Sequence, residues 1–329
     1  MTTTRILVTG GAGFIGSHHV RTLLGPDGPG NVAVTVLDAL TYAGNPANLD
    51  EVRDHPGFSF VHGDICDAEL VGRLMAGHDQ VVHFAAESHV DRSIDGGAAF
   101  VRTNVVGTHT LVNAAHEAGV GTFVHVSTDE VYGSVDEGSW TEREPLAPNS
   151  PYSASKASSD LIALAYHRTH GLDVRVTRCS NNYGHHHFPE KVIPLFVTNL
   201  LEGLPVPLYG DGAHVRDWLH IDDHVQGIEL VRTQGRPGEV YNIGGGTELS
   251  NKELTRLLLE ACDADWDTDV VHVEDRKGHD RRYSVDCAKI REELGYVPRK
   301  DFRTGLAETV RWYRENRSWW EPLKERAAL

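Results

Sequence analysis

At 329 residues, 40% hydrophobic and 24% charged, the chain has the make-up of a globular protein large enough for two lobes. With 47 acidic against 31 basic residues its net charge is −16, which repels polyanions and excludes nucleic acid or an anionic membrane as principal partner. It has neither an apolar leader nor a run of about 18 apolar residues, and Cys66, Cys179, Cys262 and Cys287 form no CxxC pair, so a cytoplasmic chain with free thiols is expected.

Short β-branched runs at 6–8, 32–37, 58–61, 81–84, 123–126 and 174–177 alternate with helix-length stretches at 14–24, 68–75, 100–118 and 152–170. Near-continuous apolar strands between helices predict an α/β fold, a doubly wound parallel sheet of Rossmann type covered on both faces. After Cys179 the texture changes to loops and shorter elements, with helices expected at 192–201, 251–262 and 304–316. The reading gives a dinucleotide-binding domain at 1–178 and a smaller mixed α/β substrate domain at 179–329. Parts of about 216–246 are expected to pack back on the first domain, and the cleft between the lobes is the expected ligand site.

The first strand runs into Gly10-Gly11-Ala12-Gly13-Phe14-Ile15-Gly16 and then an amphipathic helix. Glycines there allow a tight turn and a close backbone approach to a pyrophosphate, which meets the exposed N–H groups of the helix start. A ligand-free glycine turn is the plainer alternative, and the strand–turn–helix context favours the dinucleotide. Asp38 ends the second run, where a carboxylate accepts hydrogen bonds from an adenosine ribose and repels a 2′-phosphate; NAD is expected over NADP. Asp64 and Ile65, after the third run, are placed to flank the adenine.

Tyr152 and Lys156 stand four apart and share one face of a helix. A phenol titrates near pH ~10, so it acts as a base only where a neighbouring ammonium and a cationic ring stabilise its anion. Val126-Ser127-Thr128-Asp129-Glu130 follows a strand at the carboxyl edge of the sheet, where doubly wound folds bind ligands. Thr128 can donate a hydrogen bond to an oxygen becoming a ketone. Asp129 and Glu130 can divide acid and base roles if their surroundings push their pKa values apart. A surface Tyr–Lys contact and a solvated acidic turn remain the alternatives for these two motifs.

Taken together, the chain resembles the dTDP-glucose 4,6-dehydratases, members of the extended short-chain dehydrogenase/reductases. The resemblance runs essentially end to end: residues 9–16, 38–45, 85–93, 127–133, 152–156, Ser180-Asn181-Asn182-Tyr183-Gly184, 188–195, Arg216-Asp217-Trp218 and 276–283. The Thr-Asp-Glu triplet separates this family from the related sugar 4-epimerases, whose equivalent segment lacks the acidic pair. The resemblance implies that Tyr152 takes the C4 hydroxyl proton while C4 hydride passes to NAD, that Glu130 takes the C5 proton, and that Asp129 protonates the departing C6 hydroxyl. Hydride then returns to C6, leaving a 4-keto-6-deoxy sugar. It further implies cofactor contacts from Leu40, Thr41, Ala85, Ala86, Ser88, Thr103 and Asn182, besides the glycine loop, Tyr152 and Lys156. Implied substrate contacts are Ser88, Thr128, Asn181, Lys191, Leu195, Pro207, Tyr209, Arg216, Asn251, Arg276, His279 and Tyr283. A guanidinium such as Arg216 suits a diphosphate because its fork binds two oxygens at once. The implied partners are dTDP-glucose and a second copy of the chain, paired through helices 100–118 and 152–170.

One segment departs from the family pattern. After Asn-Asn-Tyr-Gly come His185-His186-His187, where the family has Pro, then Tyr or Arg, then Gln. Adjacent residues of an extended chain face opposite ways, so no metal site is expected from the three, and an altered loop beside the substrate is the favoured reading. A sugar 4-epimerase and a catalytically silent NAD sensor are the rival functions. Asp129-Glu130 counts against the first, and the intact Tyr152–Lys156 pair against the second.

Overall fold

The apolar runs become strands because each is buried between two layers of helices. In the computed structural model, which describes residues 3–327, twelve strands form: β1 (Thr4–Thr9), β2 (Val32–Asp38), β3 (Phe58–His62), β4 (Gln80–His83), β5 (Thr122–Thr128), β6 (Val174–Cys179), β7 (Asn181–Tyr183), β8 (Val206–Tyr209), β9 (Val215–His220), β10 (Val240–Ile243), β11 (Glu248–Ser250) and β12 (Val270–Val273). Seven of them form one sheet in the order β3-β2-β1-β4-β5-β6-β10, all neighbours parallel. Strand order runs outward from β1 in both directions, and a crevice opens at the carboxyl ends of β1 and β4.

Alternation along the strands feeds two cores. Ile6, Val8 and Val36 face helices Phe14–Leu24 and Ile221–Gln234, meeting Val20, Leu23, Ile228 and Val231. Leu7, Leu37 and Val81 face the other way, against Val71 and Met75 of helix Ala68–Met75, Leu111 of Thr108–Ala118 and Ala163 of Pro151–His170. Pro151 at the first helical turn and a reciprocal Ser150/Ser153 capping box fix where the last of these helices begins, and hence where Tyr152 points.

The second lobe contains a three-stranded sheet, β7-β9-β11, and a parallel pair, β8 and β12. Trp218, Phe196, Leu254, Val310, Tyr313 and Trp320 fill its core. Helices Val192–Leu201 and Asn251–Cys262 lie where the periodicity places them, and the helix expected at 304–316 runs Phe302–Glu315.

The expected single helix at 100–118 has three parts: Gly97–Phe100, a π-helical Val101–Gly107, and Thr108–Ala118. The wide turn seats Asn104, whose amide donates to Glu87 O and Ser155 Oγ, tying this helix to the one that carries Tyr152. Strand β10, helix Ile221–Gln234 and helix Arg317–Ala327 were not anticipated as separate elements.

Helix Ile221–Gln234 also buries His224 completely, with neither ring nitrogen hydrogen-bonded. Burial pulls its pKa down to about 3. The unfolded chain, titrating near ~6.5, therefore binds the extra proton first, and stability falls as pH drops below ~6.5 toward 3 by up to about 1.4 kcal/mol per unit for this group. His224→Leu is expected to stabilise the protein, with a gain larger at pH 5 than at pH 8. Urea unfolding at the two pH values checks this; equal gains at both would contradict it.

Candidate active site

The glycine loop, the ends of β1–β6 and the segment 187–191 enclose a cavity of about 340 Å³. Every sequence-predicted cofactor residue lines it except Leu40: the loop residues Gly10, Gly13, Phe14, Ile15 and Gly16, then Asp38, Thr41, Asp64, Ile65, Ala85, Ala86, Ser88, Thr103, Tyr152, Lys156 and Asn182. A Cβ at Gly16 would stand 2.3 Å from Gly10 O, so only glycine fits that turn. Gly13 caps helix Phe14–Leu24 without a side-chain bond, leaving the helix N–H groups open to an anion. Asp38 accepts from Ala12 N at 2.9 Å and Leu40 N at 2.8 Å, which fixes its carboxylate at the end of β2. Leu40 itself turns away. It adopts a left-handed φ of 50° and packs on the core beneath the loop.

Asn182 Oδ1 is buried in this cavity wall without a partner in the chain, as expected of a group that meets a polar ligand. The glycine cradle, the open helix end and the pinned Asp38 together fit NAD.

The reactive groups meet at the carboxyl end of β5. Thr128 Oγ1 accepts from Glu130 N at 3.2 Å and so starts the tight turn Asp129–Tyr132 that holds both acids. Burial, then the neighbouring Glu130 and Asp217 charges, lift Asp129 well above the usual carboxylate range. Its Oδ2 has no partner. Glu130 is raised by burial too, but Arg276, Arg216 and Lys191 pull the other way and favour its charged form. The two carboxyls are therefore pushed apart in character, one toward acid and one toward base.

Tyr152 is raised well above 10 by burial and by the Glu130 charge, while a hydrogen bond with Thr128 lowers it. Lys156 is buried and donates to Val126 O at 2.8 Å; burial lowers its pKa to about 8, against the pull of Asp160. Behind it lies a buried charge cluster, in which Asp160 accepts from Arg178 Nε at 2.8 Å and stands 3.2 Å from His125 Nε2.

A second cavity, about 450 Å³, is lined by residues of both lobes. Ser88, Glu130, Asn181, His187, Glu190 and Lys191 line both cavities, so the catalytic turn sits at their junction. Of the predicted substrate residues, Ser88, Asn181, Lys191, Leu195, Pro207, Tyr209, Arg216, Asn251, Arg276 and His279 line the second cavity, and Thr128 lines the first. Lys191 donates to Ser88 O at 2.7 Å and Arg216 to Asp280 O at 2.9 Å. Tyr283 lines neither cavity. It supports the site from behind: its hydroxyl bonds Asp280 at 2.7 Å and lies 3.5 Å from Glu130 Oε2, and its ring lies 4.1 Å under the Arg216 guanidinium.

Of the three histidines, His185 and His186 share a 2.6 Å Nδ1···Nδ1 contact and His187 points away from them. His187 stacks on Phe14 with centroids 4.1 Å apart and lines both cavities, whereas His186 packs on Trp312 and Trp319, and His185 tilts against His18. Sequence reasoning missed Glu190, which lines both cavities and accepts from Arg92 Nε at 3.3 Å; Arg92 in turn covers the Tyr42 ring at 4.2 Å. Nothing in the local spacing announces that cluster, because its members come from three separate segments.

The sequence model of the family described as GDP-mannose 4,6 dehydratase matches residues 7–309. The chain is 68% identical over 327 residues to a dTDP-glucose 4,6-dehydratase of Streptomyces griseus, covering 99% of each. The crystal structure of the dTDP-glucose 4,6-dehydratase DesIV from Streptomyces venezuelae, solved with NAD and a second ligand, superposes with a TM-score of 0.95 at 65% identity, covering 97% of this chain and all of that one. A Bacillus anthracis dTDP-glucose 4,6-dehydratase in complex with NAD gives 0.90 at 48% identity, covering 98% and 100%. With the glycine cradle, the Tyr152–Lys156 pair and the divided acidic pair all in place, the chain belongs to the GDP-mannose 4,6 dehydratase family and, within it, to the dTDP-glucose 4,6-dehydratases.

Proposed function

We propose that the protein converts dTDP-glucose to the 4-keto-6-deoxy sugar nucleotide by oxidation at C4, loss of water across C5–C6 and reduction at C6, as a step of deoxysugar biosynthesis. The glycine loop, Asp38, Thr41, Asp64, Ile65 and Asn182 hold NAD in the first cavity. When bound, NAD takes hydride from C4 and returns it to C6. Tyr152, its anion stabilised by Lys156, removes the C4 hydroxyl proton while Thr128 donates a hydrogen bond to the same oxygen. The resulting ketone acidifies the C5 proton, which Glu130 removes, and Asp129 protonates the departing C6 hydroxyl. Arg216, Lys191 and Arg276 hold the diphosphate despite the acidic surface, since their charge is concentrated in the wall of the second cavity.

The observation that carries this reading is the acidic pair at the cavity junction, with Asp129 raised well above the usual carboxylate range by burial, beside a Glu130 that faces three cations. A sugar 4-epimerase needs no such pair. Incubation with dTDP-glucose, without added reductant, is expected to give a product lighter by one water. A C4 stereoisomer of unchanged mass would establish epimerisation instead.

The protein acts as a homodimer in the same reading. Val101, Val106 and Leu161 are 54%, 48% and 57% exposed on the helical layer formed by 97–118 and 151–170, an apolar surface that a second copy would cover. The double variant Val106→Asp/Leu161→Asp is expected to sediment at half the mass of the wild type; an unchanged mass would contradict the pairing surface.

A further inference from the structure

One stripe of helix Pro151–His170 carries Tyr152, Lys156 and then Asp160, each about one turn after the last. Asp160 has no exposed surface, and no step of the proposed cycle uses it. We propose that Asp160 is a positioning residue for the reaction: held in place by Arg178, it backs the Lys156 ammonium with a buried negative charge.

The carboxylate is fixed from two strands. Arg178, on β6, donates from Nε to Asp160 Oδ2 at 2.8 Å and from a terminal nitrogen to the Tyr132 hydroxyl, also at 2.8 Å. Tyr132 ends the tight turn Asp129–Tyr132; its ring lies 4.7 Å from the guanidinium, and its hydroxyl donates to Asn242 Oδ1 at 2.9 Å. From β5, His125 Nε2 stands 3.2 Å from the other Asp160 oxygen. All four side chains are buried. A buried ion pair adds little stability over apolar residues of the same volume, because the cost of desolvating two charges offsets their attraction. What it supplies is a fixed charge that water does not screen.

Around Lys156 stand Tyr152 and Asp160 of its own helix, His83 of β4, His125 of β5 and Cys179 of β6, with Arg178 paired to Asp160. Burial keeps both imidazoles neutral and pushes the Cys179 thiol up to about 12, so none of these three carries charge at neutral pH. Burial pushes Asp160 up as well, but Arg178 and His125 outweigh it and bring it down to about 2. Asp160 is thus the ionised group that favours the Lys156 ammonium against burial. Without it the ammonium gives up its proton at lower pH, and the Tyr152 anion loses its stabilising charge. That consequence rests on the dehydratase reading; the contacts do not.

The test mixes NAD-loaded protein with dTDP-glucose and follows reduced nicotinamide by stopped-flow absorbance across the neutral and alkaline range. Asp160→Asn is expected to move the alkaline limb of that rate down by about one pH unit. Asp160→Glu keeps the charge and should return the limb close to its wild-type position. Asp160→Asn leaves Arg178 buried without its counter-ion, so the double variant Asp160→Asn/Arg178→Gln, which removes both charges and keeps amide hydrogen bonding, is measured beside it and should shift the same way. An unmoved limb in both variants that remove the carboxylate, with only a lower rate at every pH, would overturn the proposal. An equal shift in Asp160→Glu would overturn it too, since charge would not be the cause. Dehydrated product from the wild type in the same assay separates either failure from failure of the dehydratase reading.

Discussion

Glu130→Gln is expected to slow turnover by about 10²–10⁴-fold and to stall the enzyme after the first oxidation. The amide cannot take the C5 proton, yet it keeps the shape of the side chain and the turn that Thr128 begins. The first step needs Tyr152 and Lys156 rather than Glu130, so reduced nicotinamide should accumulate on the enzyme and remain visible by its absorbance. The variant also removes a negative charge that raises the Tyr152 pKa, which should make the first step easier at neutral pH. A variant that turns over at the wild-type rate would remove Glu130 from the mechanism. One that forms no reduced nicotinamide would place Glu130 in the first step instead of the second. Asp129→Asn, by contrast, should slow elimination by a similar factor through loss of the acid, since the amide has no comparable proton to give.

Tyr152→Phe is expected to lower the rate of C4 oxidation by about 10²–10⁴-fold with NAD still bound. The ring packs edge-on against Phe100 with centroids 6.3 Å apart, and that contact survives the change, so the loss should fall on kcat rather than on folding. Thermal unfolding within a few degrees of the wild type, with no burst of reduced nicotinamide, is the expected pair of results. A burst at the wild-type rate would assign the base elsewhere.

Much of the fold was legible because its elements carry their own signals. Strands β1, β2 and β5 each carry a short apolar, β-branched run, and the glycine loop joins a strand to a helix in four residues, 10–13. Strand β10 was hidden: four residues that join the parallel sheet only after helix Ile221–Gln234 has crossed its face. The site followed the same rule. Tyr152, Lys156, Asp129 and Glu130 are set by local spacing on one helix and one turn. Leu40 sits between two cofactor-side residues in sequence yet leaves the cavity through a left-handed backbone turn, which neighbours alone do not foretell. Tyr283 reaches Glu130 through the Asp280 and Arg216 contacts, and His214 meets Asp275 and His279 across more than 60 residues of chain. Such meetings depend on tertiary packing rather than on local spacing.

In the proposed cycle one site oxidises C4, removes water and reduces C6 without releasing an intermediate. The most direct measurement uses dTDP-glucose carrying deuterium at C4, turned over in ordinary water, with the product read by NMR and mass spectrometry. Loss of one water with deuterium retained at C6 is expected. Deuterium lost to solvent, or retained at C4 in a sugar of unchanged mass, would contradict it.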